Sequence, residues 1–147
     1  MTTIERSALV NFSAEQMFAL VLDIESYPEF LSGCNGASVL ERSDDTVVAT
    51  MELGTSSLNQ SFTTRGRLQA PTRIDMELVD GPFKVFKGEW TFEAIDDKAC
   101  RVNFKLKYKF SNFLMGVAAG KLVEKVAGEQ VNAICQRAKI IYKDSGK

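Results

Sequence analysis

One long amphipathic stretch, Asn112 to Tyr142, constrains this chain more than any other feature. Met115, Ala118, Ala119, Leu122, Val126, Ala127, Gln130, Val131, Ile134, Ala138 and Ile141 recur at three- and four-residue steps, the spacing of one buried helix face. Lys121, Glu124, Lys125, Asn132, Gln136, Lys139 and Lys143 fall on the opposite, solvated side. At a rise of about 1.5 Å per residue the helix is ~46 Å long, more than a small domain is wide. Such a stripe needs a broad apolar surface, and the alternating sequence before it points to a sheet. Gly116, Gly120 and Gly128 interrupt it, each about 1 kcal/mol worse than alanine in a helix interior. Either the backbone packs closely where helix crosses sheet, or side chains are missing because something else takes the space.

With 147 residues the chain reads as a single domain, 1–147, with a sizeable core. Its longest apolar runs are far too short to span a membrane, and Met1 to Arg6 carry no signal-peptide pattern. The net charge of −1 gives no global attraction to nucleic acid. DNA is therefore not expected as a partner, and any phosphate contact must rest on a local patch. Cys34, Cys100 and Cys135 are widely spaced without a C-x-x-C, which fits free thiols in a cytoplasmic protein. The chain has no histidine at all. That removes a Ser–His–Asp triad, a Cys–His pair, histidine metal ligands and the commonest general base, so enzyme classes are disfavoured.

Thr2 to Val10 reads as a first strand. Ser13 and Gln16 then form a capping box, with Phe12 and Met17 at the positions of a hydrophobic staple. Met17, Leu20, Val21 and Ile24 supply the buried face of that helix. In Ser26-Tyr27-Pro28-Glu29-Phe30-Leu31, Pro28 is expected to push Tyr27 out of helical geometry and open a new short helix that Gly33 ends. Tyr27, Phe30 and Leu31 either plug one end of the core or form the mouth of a pocket. From Ala37 onward hydrophobicity alternates through about six strands joined by short turns, hence antiparallel. Asp44-Asp45, Asp80-Gly81-Pro82 and Asp96-Asp97 read as turns. The expected architecture is α+β: a curved antiparallel sheet of six to seven strands wrapped around a long C-terminal helix, with two short helices after the first strand.

The later strands place Phe86, Trp90, Phe92, Phe104, Tyr108 and Phe110 on their apolar faces, and large rings are core material by default. The inward registers also carry Gln60, Thr64 and Gly66 between Leu58, Phe62 and Leu68. An apolar cavity with a few convergent polar groups is how small-ligand sites look, and Gln60, Thr64 and Tyr108 can fix a carbonyl or hydroxyl. The alternative is that these polar groups face solvent or bond one another. Arg65, Arg67, Arg73, Arg101, Lys105, Lys107 and Lys109 share the outward register with Glu52, Asp75, Glu77, Glu89 and Glu93. That stripe reads as cross-strand pairing on a solvated face, or as a phosphate-contacting surface. Paired catalytic carboxylates, Gly-rich phosphate loops and metal-ligand clusters are absent from the sequence.

Ser13-Ala14-Glu15-Gln16-Met17, Ser26-Tyr27-Pro28-Glu29-Phe30-Leu31, Cys34, Phe62-Thr63-Thr64-Arg65 and Leu78-Val79-Asp80-Gly81-Pro82-Phe83-Lys84 together resemble the coenzyme Q-binding START-like family. Gly88-x-Trp90-x-Phe92 and the closing Arg137-Ala138-Lys139 fit the same pattern, so the resemblance runs from about Thr3 to Tyr142. One departure is Ser32, where many members carry proline. The resemblance implies a helix-grip fold with a cavity between sheet and final helix. It implies two non-enzymatic roles: the expected main one is binding ubiquinone or another apolar lipid in support of respiration, and the alternative is binding the large ribosomal subunit and blocking subunit joining, as bacterial toxins of the family do. Polyketide cyclases belong to the wider superfamily, although nothing in this sequence supplies their acid or base. The expected cavity residues are Tyr27, Phe30, Leu31, Gln60, Phe62, Thr64, Phe83, Phe86, Trp90, Tyr108, Gly120 and Leu122. The expected ribosome contacts are Arg65, Arg67, Lys105, Lys107 and Lys109. No cofactor is required beyond the apolar ligand, whose membrane origin allows peripheral membrane contact.

Overall fold

Two short helices and a long terminal one pack on the concave side of a single sheet. The computed structural model describes residues 1–55 and 58–142. The chain runs β1 (Thr2–Val10), α1 (Ala14–Leu22), a 3-10 helix (Ile24–Glu29), β2 (Cys34–Arg42), β3 (Thr46–Gly54), β4 (Asn59–Gln69), β5 (Arg73–Asp80), β6 (Phe83–Asp96), β7 (Ala99–Phe110) and α2 (Phe113–Ile141). The seven strands form one antiparallel sheet in the order β1-β7-β6-β5-β4-β3-β2. Only β1 leaves the meander, folding back to pair with β7. This is the expected α+β helix-grip fold.

Alternation fixes which side of each strand faces the helices. Ile4 lies opposite Leu106, Trp90 opposite Phe104 and Phe92 opposite Val102, and all six are buried. The register continues through Trp90 with Ile74 and Gly88 with Met76, then Gly66 with Val47. α1 enters as a wedge. Ser13 Oγ accepts from the Gln16 amide while Gln16 Oε1 accepts from the Ser13 amide, so both bonds of the capping box are made. Phe18 meets Phe92 edge to face, and Met17 is wholly buried.

The segment after α1 departs from expectation. Its 3-10 helix starts at Ile24, so Pro28 sits inside it and Tyr27 is helical. A missing amide donor is tolerated because tertiary bonds anchor the turn: Tyr27 donates its hydroxyl to the Val21 carbonyl, and Glu25 accepts from the Val39 amide. Gly33 does not end this helix, whose last residue is followed by Phe30 as its cap. It occupies the turn into β2 with φ +92°, and a Cβ there would stand 2.7 Å from Val126 Cγ2 of α2.

α2 buries Ala119, Leu122, Val123, Val126, Ala127, Val131, Ile134, Cys135 and Ala138. The expected face is rotated slightly, since Val123 and Cys135 are inside while Ala118 and Ile141 are exposed. The helix runs for twenty-nine residues; its first two turns carry exposed apolar side chains, while its last turn is held against α1, where the Tyr142 hydroxyl donates to the Gln16 carbonyl at 3.1 Å. Arg137 ties the far half down by pairing with Glu29 at 3.1 Å and lying 5.2 Å from the Phe30 ring centroid.

Candidate functional site

Two grooves flank the N-terminal half of α2. The larger, about 810 Å³, opens between the start of α2 and the ends of β6 and β7, with Tyr108, Phe110, Phe113, Gly116 and Gly120 among its walls. The second, about 530 Å³, lies between α2 and the Gly33 and Gly54 turns, walled by Leu58, Ala118 and Leu122. Lys121 stands at the rim of both. A Cβ at Gly120 would meet nothing within 4 Å. Close packing therefore does not explain this glycine. At Gly116 a Cβ would make only ordinary contact with Phe110, whereas at Gly128 it would meet Arg6 Nη2 at 3.1 Å.

Of the expected cavity residues, Tyr108, Gly120 and Leu122 line these grooves. Behind Tyr108 the rings of Phe62, Phe83, Phe86 and Phe110 form one aromatic cluster, with Phe83 stacked on Phe110 at 4.9 Å and 5.2 Å from Phe86. Gln60 and Thr64 are half-buried on the same inward register, opposite Leu53 and Ala49. Trp90 belongs elsewhere, packed 4.6 Å from Phe104 and stacked with Phe92 in the closed core. Tyr27 and Leu31 are likewise shut in, with Phe30 edge-on to Tyr27. They fill the core end under α2.

The buried titratable groups are held neutral. Burial pushes the Tyr27 phenol well above its usual value, and the neighbouring Cys34 and Asp23 add to this. Burial likewise raises Tyr108, reinforced by Glu124 and opposed by a hydrogen bond with Thr2. Cys100 is pushed up to about 11 by burial, then by Cys135 and Glu15. Cys34 and Cys135 are raised for the same leading reason. These are packing groups, with neither a thiolate nor a phenolate poised for chemistry. Among the described residues no cluster of three acidic or cysteine side chains is arranged to hold a metal ion.

The outer face of the sheet separates into two halves. Glu77 takes Arg65 at 3.7 Å and Arg67 at 3.0 Å; Arg73 takes Asp75 at 2.9 Å and also Glu89. The arginine forks thus take up Asp75 and Glu77 of β5 and Glu89 of β6. Two of the expected ribosome contacts, Arg65 and Arg67, are consequently paired. Lys105, Lys107 and Lys109 make no ion pair among the described residues, nor does Lys87, which stands directly opposite Lys107. Two lysines facing across a ladder repel. Lys87 was hidden in the sequence because its partner depends on register, which alternation alone does not give. Lys121, Lys125 and Lys139 lie exposed on the back of α2, and Lys143 lies outside the described residues.

A helix-grip fold with grooves beside its terminal helix defines a START-like protein, and sequence agrees. The chain belongs to the family described as polyketide cyclase/dehydrase and lipid transport, whose profile matches residues 10–135. The ribosome association toxin RatA of Vibrio cholerae is 44% identical over 142 residues, covering 97% of this chain and 99% of its own. The mitochondrial coenzyme Q-binding protein COQ10 of Drosophila melanogaster is a more distant relative, 25% identical over 91% of this chain and 57% of its own. The crystal structure of the ZhuI aromatase/cyclase from Streptomyces superposes with a TM-score of 0.83 at 15% identity, covering 99% of this chain and 98% of that one. That likeness is one of fold.

Proposed function

We propose that this protein is a non-enzymatic, cytoplasmic ribosome-binding factor of the RatA type. It engages the large ribosomal subunit through the outer face of β6 and β7 and hinders subunit joining. The observation that carries this reading is the patch of Lys87, Lys105, Lys107 and Lys109, none of them in an ion pair among the described residues, although Glu5 and Glu89 stand opposite Lys105 on the neighbouring strands. Residues two apart on a strand are about 6.7 Å apart, so Lys105, Lys107 and Lys109 present a row of charge to a phosphate backbone. Likeness to RatA over nearly the whole chain supports the choice of partner. The sequence expectation had put apolar-ligand binding first; the nearer relationship to RatA than to COQ10 reverses that order.

Sedimentation with separated ribosomal subunits at several salt concentrations tests this reading. Lys105→Glu with Lys107→Glu should lower binding to large subunits and flatten the log–log salt slope by about one to two units. Wild-type protein that never co-sediments, even at low salt, overturns it.

A second activity has its own support. The grooves beside α2 have apolar walls and the family description includes lipid transport, which favours a bound quinone-like or other lipid molecule. Gly120→Leu should then block uptake with little loss of stability, because the added side chain enters open space. Mass spectrometry of lipids extracted from the purified protein, followed by titration of the variant, checks this. Unchanged binding in the variant excludes the larger groove.

A further inference from the structure

Over most of α2 the outward stripe is charged, but in the first two turns it is apolar. Phe113 is 82% exposed, Leu114 77% and Val117 67%; Met1, beside the same groove, is 75% exposed. Val117 lies one turn beyond Phe113 and three residues beyond Leu114, so the three side chains form a single knob. Among the described residues no other element covers the knob. Around it stand Lys84 from β6, Lys109 from β7 and Lys121 from the next turn of α2. None of these lysines is in an ion pair among the described residues. Among the described residues Glu124 is the one carboxylate lining the same groove, and Asp80 belongs to the adjoining turn, where the Pro82 carbonyl accepts from the Ser111 amide.

We propose that this knob docks on a lipid bilayer bearing anionic headgroups. Phe113, Leu114 and Val117 enter the interface while Lys84, Lys109 and Lys121 reach the phosphates. A helix segment with an apolar side and a basic rim partitions in this way, and each lysine near an anionic leaflet adds attraction. Lysine stems are long enough to lie along the apolar knob while their ammonium groups stay in water. The same charges argue against a second copy of this chain as the occupant, because a symmetric pairing would set lysines against lysines. From the knob the groove runs inward past Phe110 and Tyr108 to Gly120, an apolar track for a chain leaving the bilayer. That last step rests on the apolar-ligand reading; docking itself does not.

The test is flotation with phosphatidylcholine vesicles, with and without phosphatidylglycerol, at low and high salt. Wild-type protein should float with the anionic vesicles, roughly tenfold less with neutral ones, and less again in high salt. The combined Phe113→Ser, Leu114→Ser and Val117→Ser variant should lose binding roughly tenfold with an unchanged melting temperature, since these side chains are already in water. The Lys105→Glu, Lys107→Glu variant should still float, which separates this proposal from ribosome binding. Wild-type protein that fails to float with anionic vesicles, or a serine variant that floats as well as wild type, overturns it. Loss of ribosomal-subunit binding in the serine variant, with no vesicle binding by wild type, would make the knob a ribosomal contact and likewise overturn it.

Discussion

Gly120 and Gly128 stand on the same helix about two turns apart, yet only one of them is held in place by a neighbour. Around Gly120 there is open groove, so Gly120→Ala should recover most of the helix-propensity deficit and stabilise the fold by about 1 kcal/mol in urea denaturation. At Gly128 the carbonyl accepts from Arg6 Nε at 3.2 Å, and a Cβ would press on the Arg6 tip. Gly128→Ala should therefore gain less, and the missing part should return in an Arg6→Ala background. Equal gains at both positions would dismiss the distinction. Helix propensity assigns all three glycines of α2 the same cost; which one faces emptiness depends on what lies across from it.

At the scale of elements, local signals were legible where they act within a few residues. The capping box of α1 is one, and Ser13→Ala should cost about 1 kcal/mol by leaving a helix-end amide without its acceptor. Pro28 misled because its local preference was outweighed by bonds from Val21 and Val39, which no window of sequence contains. The strand faces were legible from alternation, but the pairing on the outer face was not. Parity says that Arg73, Glu89, Lys87 and Lys107 look outward; only register says that Arg73 reaches Glu89 and that Lys87 confronts Lys107. This confrontation allows a test of function free of unfolding. Lys107→Glu replaces a repulsion with a cross-strand pair and should stabilise the sheet by about 0.2–1 kcal/mol. The same change should weaken binding to large ribosomal subunits. A variant that binds less because it has lost stability would contradict the assignment.

Across the whole molecule, a terminal helix that is covered unevenly along its length explains both what the sequence revealed and what it concealed. Its periodicity announced the buried face and hence the helix-grip fold, while in its first two turns Phe113, Leu114 and Val117 stand exposed despite their apolar character. Where α2 does cross the sheet, it closes over groups that are stable only when neutral. Cys100 titrates near 11 instead of its ordinary 9, and Cys34, Cys135, Tyr27, Tyr108 and Tyr142 are shifted the same way, each chiefly by burial. A raised folded-state value means that the unfolded chain releases its proton first as pH rises. The associated stability is then fully present below about pH 9 and is lost as pH climbs towards the folded value near 11. Melting temperature should accordingly fall steeply between those limits. Cys100→Ala, which removes a wholly buried thiol that titrates in this range, should melt lower near neutrality because of the small cavity but lose less on going alkaline. Parallel melting curves for the two proteins across that range would show that the thiol at the α2–sheet contact does not control the alkaline limit of the fold.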